Sequence, residues 1–164
     1  MPCVNDAAAP DSVSVADFKS AMRRFASAVN VITSGHGGVL NGMTATAVCS
    51  VSTEPPSVLI VVNRENRSHA LIDRSGAYTV NVLSAAQQAL AVHFASTPAA
   101  PFADIRHSLG RNGCPVIDDC ASYLACVVAT RVEFGTHSVF IGRVIASGGN
   151  HSAPLIYHDG KFRD

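Results

Sequence analysis

The sequence predicts a mainly β, antiparallel fold: a closed or partly split β-barrel with a few short helices packed outside it. Three observations predict it. Residues 43–52 alternate almost strictly, with Met43, Ala45, Ala47, Cys49 and Val51 on one face and Thr44, Thr46, Val48, Ser50 and Ser52 on the other. Two long strand-like stretches, Tyr123–Phe134 and Val139–Ser147, flank the tight Gly135-Thr136-His137 turn. Asp159-Gly160, set between Leu155–Tyr157 and Lys161–Phe162, signals a final hairpin.

Taken in order, residues 1–13 read as a frayed tail and 14–164 as one folded domain. Ser14 precedes Asp17 at capping-box spacing. Phe18, Ala21, Met22, Phe25, Ala26 and Val29 follow at helical intervals, with Lys19 and Arg23 on the opposite face. This predicts a short amphipathic helix laid on a core. A strand over Val29–Thr33 and a turn over Gly35–Gly38 come next. The Met43–Ser52 alternation predicts one half-wet strand. Val58–Val62, apolar on both faces, predicts a buried one. Arg64–Arg74 has a helical tendency, Tyr78–Leu83 reads as a strand, and Ser84 with Gln87 caps a helix running to about Phe94. Pro98, Pro101, Gly110, Gly113 and Pro115 mark residues 96–115 as a long surface excursion.

Composition excludes several function classes. Acidic and basic residues number 12 each, so no net field draws in nucleic acid or an anionic membrane. The longest apolar run, Val58–Val62, is too short to span a bilayer, and no secretory signal is visible, so a cytoplasmic location is expected. Hydrophobic residues make up 48% of the chain and charged ones 15%, a balance that predicts apolar surface covered by a partner subunit. The five cysteines, Cys3, Cys49, Cys114, Cys120 and Cys126, lack the paired spacing of a zinc site and read as reduced packing residues. The seven histidines are dispersed and form no metal motif, so no metal is expected. No dinucleotide-binding glycine fingerprint, Walker loop or nucleophile elbow is present.

What remains as chemistry lies in three places. The hydroxyls of Thr44, Thr46, Ser50 and Ser52 suit a ligand with a phosphate, a sugar-alcohol chain and a polar ring edge, because each both donates and accepts. From the pattern alone a solvated strand face is the commoner explanation, since half-wet antiparallel strands are frequent. Asn63, Arg64, Arg67 and Ser68 offer amide, guanidinium and hydroxyl contacts to a phosphate, or form an ordinary exposed strand-end loop. His137, at a hairpin tip, can reach a neighbouring site, or is a solvated loop histidine.

The segment NGMTATAVCSVSTEPPSVLIVVN resembles the signature of the short-chain flavin reductases that partner two-component monooxygenases. The resemblance continues through YTVNVLSAAQQALAVHFA, CPVIDDCASYLACVV, GTHSVFIGRV and PLIYHDGKF, covers roughly residues 18 to 162, and is weakest over 96–113. Thr136 stands where many members have Asp, and Asn30 where many have Gly. The AVNVIT and GTH versions are similar to the branch serving aromatic-ring hydroxylases, such as the 4-hydroxyphenylacetate 3-monooxygenase reductase component.

The resemblance implies a Greek-key FMN-binding split barrel, usually a homodimer. It implies hydride transfer from NADH or NADPH to FMN or FAD, with reduced flavin passed to a flavin-dependent monooxygenase. Gly42, Met43, Thr44, Ala45 and Thr46 would then lie along the isoalloxazine edge, where main-chain N–H groups could bond the flavin O4 and N5. Ser50, Val51 and Ser52 would hold the ribityl chain and phosphate, helped by Asn63, Arg67 and Ser68. His137 would stand by the nicotinamide as the catalytic histidine. A pyridoxamine-phosphate-oxidase-like enzyme and a non-catalytic flavin-binding protein are the alternatives on the same barrel.

Overall fold

The computed structural model describes residues 11–163. The expected tail therefore lies mostly outside the described residues, as does Cys3.

The fold is mainly β with few helices. Helix α1 spans Val15–Met22 and is followed by the short strand β1 (Ser27–Ala28), then β2 (Asn30–His36), β3 (Val39–Ala45), β4 (Val48–Thr53) and β5 (Pro56–Asn63). Helix α2 (Arg67–Ser75) leads to β6 (Ala77–Val82), a single 3-10 turn over Ala85–Gln87 and α3 (Gln88–Ala95). The excursion after α3 carries two short strands, β7 (His107–Leu109) and β8 (Pro115–Ile117). Then come the long pair β9 (Ser122–Phe134) and β10 (His137–Gly148), and last β11 (Ile156–His158) and β12 (Lys161–Arg163).

Seven strands form one sheet in the order β3-β2-β6-β9-β10-β5-β4, every neighbouring pair antiparallel. The two edges, β3 and β4, are consecutive in the chain, and only Thr46 and Ala47 lie between them. A flat seven-stranded sheet would hold its edges roughly 29 Å apart at the usual strand spacing. A two-residue link cannot cross that gap, so the sheet curls until its edges approach.

Two cores result. Inside the curl, Ile32, Ile60, Val62, Tyr78, Val80 and Phe140 meet Ile72 of α2. Outside it, Val29, Val31 and Leu83 meet Ala91 and Phe94 of α3, with Ile117 and Leu155. Strand β2 feeds both cores, Ile32 one and Val31 the other, and is buried on both faces.

Local signals behave as their chemistry requires. Asn66 caps α2 by accepting from the Ser68 N–H, and Gly76 ends it in the left-handed conformation that glycine adopts without strain. The Ser84 main-chain N–H donates to Gln87 Oε1, as the capping-box spacing predicts. Asp159 and Gly160, at φ 51° and 76°, make the tight β11–β12 turn.

Three expectations are corrected. Residues 43–52 are not one strand: β3 ends at Ala45, and the alternation restarts out of phase in β4, where Val48 packs inward while Cys49 and Val51 are exposed. Val51 is also the extra residue of a bulge, since Ser50 pairs with Val58 and Ser52 with Ser57. Helix α1 is shorter than its periodicity suggested and is not laid on a core, since none of its residues is buried. The β9–β10 turn consists of Gly135 and Thr136 alone, because His137 already pairs with Phe134.

Candidate functional site

Thr46 occupies the switch between the sheet's edges, and its side chain is exposed. Three clefts converge on it. One, of about 490 Å³, runs between α1 and the β11–β12 turn; a second, of about 440 Å³, lies between β3, α3 and Tyr157; a third, of about 290 Å³, opens beside Ser27 and Val48. The larger two have the size of small-molecule sites. Among the described residues, the strands flanking Thr46 each have a ladder partner on one side, β2 for β3 and β5 for β4. Their outer edges therefore present main-chain donors and acceptors to the gap that the clefts enter.

The residues around Thr46 divide by face. Met43 points into the inner core, and Ala45 packs partly against it. On the outer face Gly42 lies beneath Phe94, and the Thr44 hydroxyl donates to the Ala91 carbonyl of α3 at 2.6 Å. The Thr44 hydroxyl is thus engaged in holding α3, and Thr46 carries the hydroxyl that faces open space.

A fourth, smaller cleft of about 220 Å³ lies at the start of α2, lined by Asn41, Gly42, Glu65, Asn66, Arg67 and Thr97. Ser68 is buried below it and accepts from Asn41 Nδ2 at 2.8 Å, while Arg67 reaches the Pro98 carbonyl at 3.4 Å. Gly42 and Arg67 therefore border one cavity.

At the hairpin end of the sheet, His137 stands opposite Asn63 across the β5–β10 ladder. His137 is exposed, and its Nδ1 lies 2.9 Å from the Thr136 hydroxyl. Asn63 Oδ1 accepts from the Glu65 N–H. Arg64 ties the same corner together, donating to the Gly135 carbonyl at 2.8 Å and pairing with Glu133 at 3.4 Å.

One expected grouping is not formed within the chain. Ser50, Val51 and Ser52 are exposed and lie opposite Ser57 and Val58, whereas Asn63, Arg67 and Ser68 belong to the other end of β5. The run from Ser57 to Asn63 spans roughly 20 Å of extended chain. Within one chain the two sets therefore stand at opposite ends of β5. Ser52 Oγ, moreover, accepts from the Glu54 N–H.

Several lining residues escaped sequence reasoning. Asn41 adjoins the GMTATA segment and offered a signal by its polarity inside a strand. Tyr157 and Gly160 offered none, since only the pairing of β11 with β1, Tyr157 opposite Ser27, carries the last hairpin to Thr46.

The model for the flavin reductase like domain matches residues 22–164. A 4-nitrophenol 4-monooxygenase/4-nitrocatechol 2-monooxygenase reductase component from Rhodococcus opacus is 35% identical over 147 residues, covering 90% of this chain and 79% of that protein. An FMN reductase (NADH) RutF from Variovorax paradoxus is 37% identical, covering 95% of this chain and 88% of its own. Among solved structures, the NADH:FAD oxidoreductase SgcE6 of Streptomyces globisporus superposes with a TM-score of 0.87 at 30% identity, over 97% of this chain and 98% of that one. The flavin reductase PheA2 does so at 0.86 and 34% identity, over 93% and 98%. This chain belongs to the flavin reductase-like family.

Proposed function

We propose that this protein uses a reduced nicotinamide dinucleotide to reduce FMN or FAD and passes the reduced flavin to a partner flavin-dependent monooxygenase. It is an oxidoreductase of the flavin reductase class, and NADH is the electron donor named for its relatives. One observation carries the reading: the family match covers residues 22–164, and the segment 41–63 that resembles the flavin reductase signature contains the strand switch on which the clefts converge.

The residues present fit a flavin. A planar tricyclic ring needs a cleft of several hundred Å³ with apolar walls and donors along one edge; the gap beside Thr46 offers that volume, the apolar side chains of Val29, Ala45 and Val92, and the unpaired main-chain edges of β3 and β4. Bound flavin supplies the two-electron redox chemistry. Thr46 then donates its free hydroxyl to the ring edge, and the edge N–H groups stabilise negative charge near it. Arg67 and the α2 N-terminus, with Asn66 and Asn41, face a phosphate at the smaller cleft. His137 orients the nicotinamide carboxamide. Ser50, Val51 and Ser52 meet the ribityl chain or phosphate only if one end of the ligand extends along β4, away from α2.

The same reading holds residues 14–164 as one split-barrel domain, with β3 and β4 as the lips of the split, joined by chain and not by a ladder. It holds the protein as a homodimer. Val39, Leu109, Val132 and Phe134 are large apolar side chains left in water, Phe134 by 85%, which supports a covering subunit. Among the described residues no helix is long and apolar enough to cross a membrane, and the thiols of Cys49, Cys114, Cys120 and Cys126 are free, which supports a cytoplasmic location.

The test is NADH and NADPH oxidation followed with FMN, FAD and riboflavin in turn. Flavin-dependent oxidation, with one nicotinamide preferred, is the expected result. A yellow protein without it would be a flavin-binding protein only, and turnover of pyridoxamine phosphate would move the protein to another activity on the same barrel. Light scattering that reports a monomer at micromolar concentration would remove the homodimer.

A further inference from the structure

Helix α1 stands off the body of the protein. Phe18 and Met22, and Phe25 just beyond the helix, are 56%, 47% and 64% exposed, yet all three border the cleft of about 490 Å³ whose other wall is Tyr157 and Gly160 and which reaches Thr46. The helix is held by polar contacts. Asp159 Oδ1 accepts from Arg24 Nη2 at 2.5 Å and from Arg23 Nε at 3.3 Å, and the Asp159 N–H donates to the Arg23 carbonyl at 3.1 Å. Partial desolvation raises the Asp159 carboxyl, but Arg24 and Arg23 outweigh it and hold it below its ordinary value. Exposed ion pairs of this kind contribute little to stability. They fix where α1 sits, while its apolar side chains wait for a filler.

Charge says what the filler is. Of the residues lining the cleft, Lys19 and Arg23 are basic and Asp159 is acidic, and the neighbouring Arg24 pairs with that same carboxylate, on a chain whose formal net charge is zero. Lys19 makes no ion pair among the described residues and lines the cleft directly. An apolar slot with an aromatic wall and a surplus of positive charge at its rim is complementary to a flat heterocycle carrying phosphates. The cleft also opens on Thr46, where the reacting ring is held in the reading above.

We propose that the α1 cleft binds the adenosine diphosphate half of a dinucleotide. This rests on the flavin reductase reading, and both FAD and the nicotinamide donor carry that half. Phe18, Met22 and Tyr157 enclose the adenine, and Lys19 and Arg23 meet the diphosphate.

The test uses the full chain and its Lys19→Glu variant, with circular dichroism to confirm the fold and Phe18→Ala as a second variant. In one arm FMN is the acceptor, and kcat/KM for NADH is divided by that for reduced nicotinamide mononucleotide, which lacks the adenosine half. In the other, reduced nicotinamide mononucleotide is the donor, and FAD is divided by FMN. A ratio lowered about tenfold or more in either variant supports the proposal, the first arm assigning the cleft to the donor and the second to FAD. ADP should inhibit the native protein in competition with the same dinucleotide. Both ratios unchanged in both variants would overturn the proposal. So would conversion of Lys19→Glu to a monomer with unchanged ratios, which would make the cleft a subunit contact. If neither FMN, FAD nor riboflavin supports NADH oxidation by the native protein, the reductase reading fails by itself. Calorimetric binding of ADP that Lys19→Glu abolishes would then still support the cleft, and no binding would overturn it.

Discussion

Gly42 lies directly beneath Phe94: a Cβ built on Gly42 would come within 2.6 Å of the ring's Cδ1 and Cε1 atoms. That contact seats α3 against β3, and it explains the glycine of the GMTATA segment by packing. Two positions on, the Thr44 hydroxyl donates to Ala91, so helix and strand are locked side by side just before the chain crosses at Thr46. The packing of α3 on β3 thus fixes one wall of the cleft that opens beside Thr46.

Gly42→Ala should therefore destabilise the fold by about 1–3 kcal/mol through overpacking, since the Phe94 ring is fully enclosed and has nowhere to retreat. Thermal unfolding would read this as a drop in Tm. An unchanged Tm would mean that α3 shifts freely, and the lock described above would be lost.

Thr46→Val should raise the flavin KM, because the substitution keeps shape and removes a donor worth about 1–3 kcal/mol to a buried polar partner. Its fold should be intact, as the Thr46 side chain is exposed. Equal flavin affinity in variant and parent would make the switch hydroxyl a merely wet side chain.

The architecture was legible where chemistry is local. The β11–β12 turn follows from Asp159-Gly160, the 84–87 cap from Ser84 and Gln87, and the buried β5 from its apolar run. The strand switch was not legible. Alternation alone cannot show that Ala45 ends a strand, because Thr46-Ala47 continues the pattern, and only closure of the curled sheet demands a break there. Helix α1 misled for a related reason: periodicity identifies an apolar face but not what covers it. The candidate list around 42–46 mixed residues facing the core, α3 and open space, which no one-dimensional pattern separates.

Asn112 should prove structural and not catalytic. Its Nδ2 donates to the carbonyls of Tyr78 at 2.8 Å and Cys126 at 3.1 Å, and its Oδ1 accepts from the Cys114 N–H at 3.2 Å. One amide thus pins the excursion to two central strands. Asn112→Ala should lower stability by about 1–3 kcal/mol by stranding those groups, with flavin KM nearly unchanged. A raised KM at unchanged Tm would place the excursion in the site.

Stability should fall in alkali. Burial pushes the Cys114 thiol up from 9.0 to about 11 and the Cys126 thiol to about 12, and it raises Cys120 and Tyr78 as well. Between about pH 9 and 11 for Cys114, and between about pH 9 and 12 for Cys126, the unfolded chain has released the thiol proton while the folded chain keeps it. The unfolded state then binds fewer protons, so stability is full below about pH 9 and declines above it, by at most about 1.4 kcal/mol per pH unit for each thiol. Urea midpoints across this range would record the decline. Replacing Cys114 and Cys126 with Ala should flatten the profile while sparing turnover, and a folded variant without turnover would give the thiols a redox role.

His137 and Asn63 make the last case, because the ladder places them face to face at the open end of the sheet. Asn63 is engaged by the Glu65 N–H and Arg64 by the β9–β10 turn, so the corner is rigid, while among the described residues the imidazole's hydrogen bond is to the neighbouring Thr136 hydroxyl. A hydroxyl orients an imidazole less firmly than a carboxylate, since it adds no charge to the hydrogen bond. The contribution of His137 should therefore be moderate, about tenfold to a hundredfold in turnover. With His137→Ala at saturating flavin and NADH varied, slower hydride transfer or a raised NADH KM is expected, with flavin affinity nearly unchanged. Collapse of flavin affinity would make the histidine a flavin ligand, and no change would leave it a solvated side chain. Thr136→Asp extends the test: a carboxylate beside Nδ1 should recover rate if orientation limits the parent, and should leave it unchanged if the histidine takes no part.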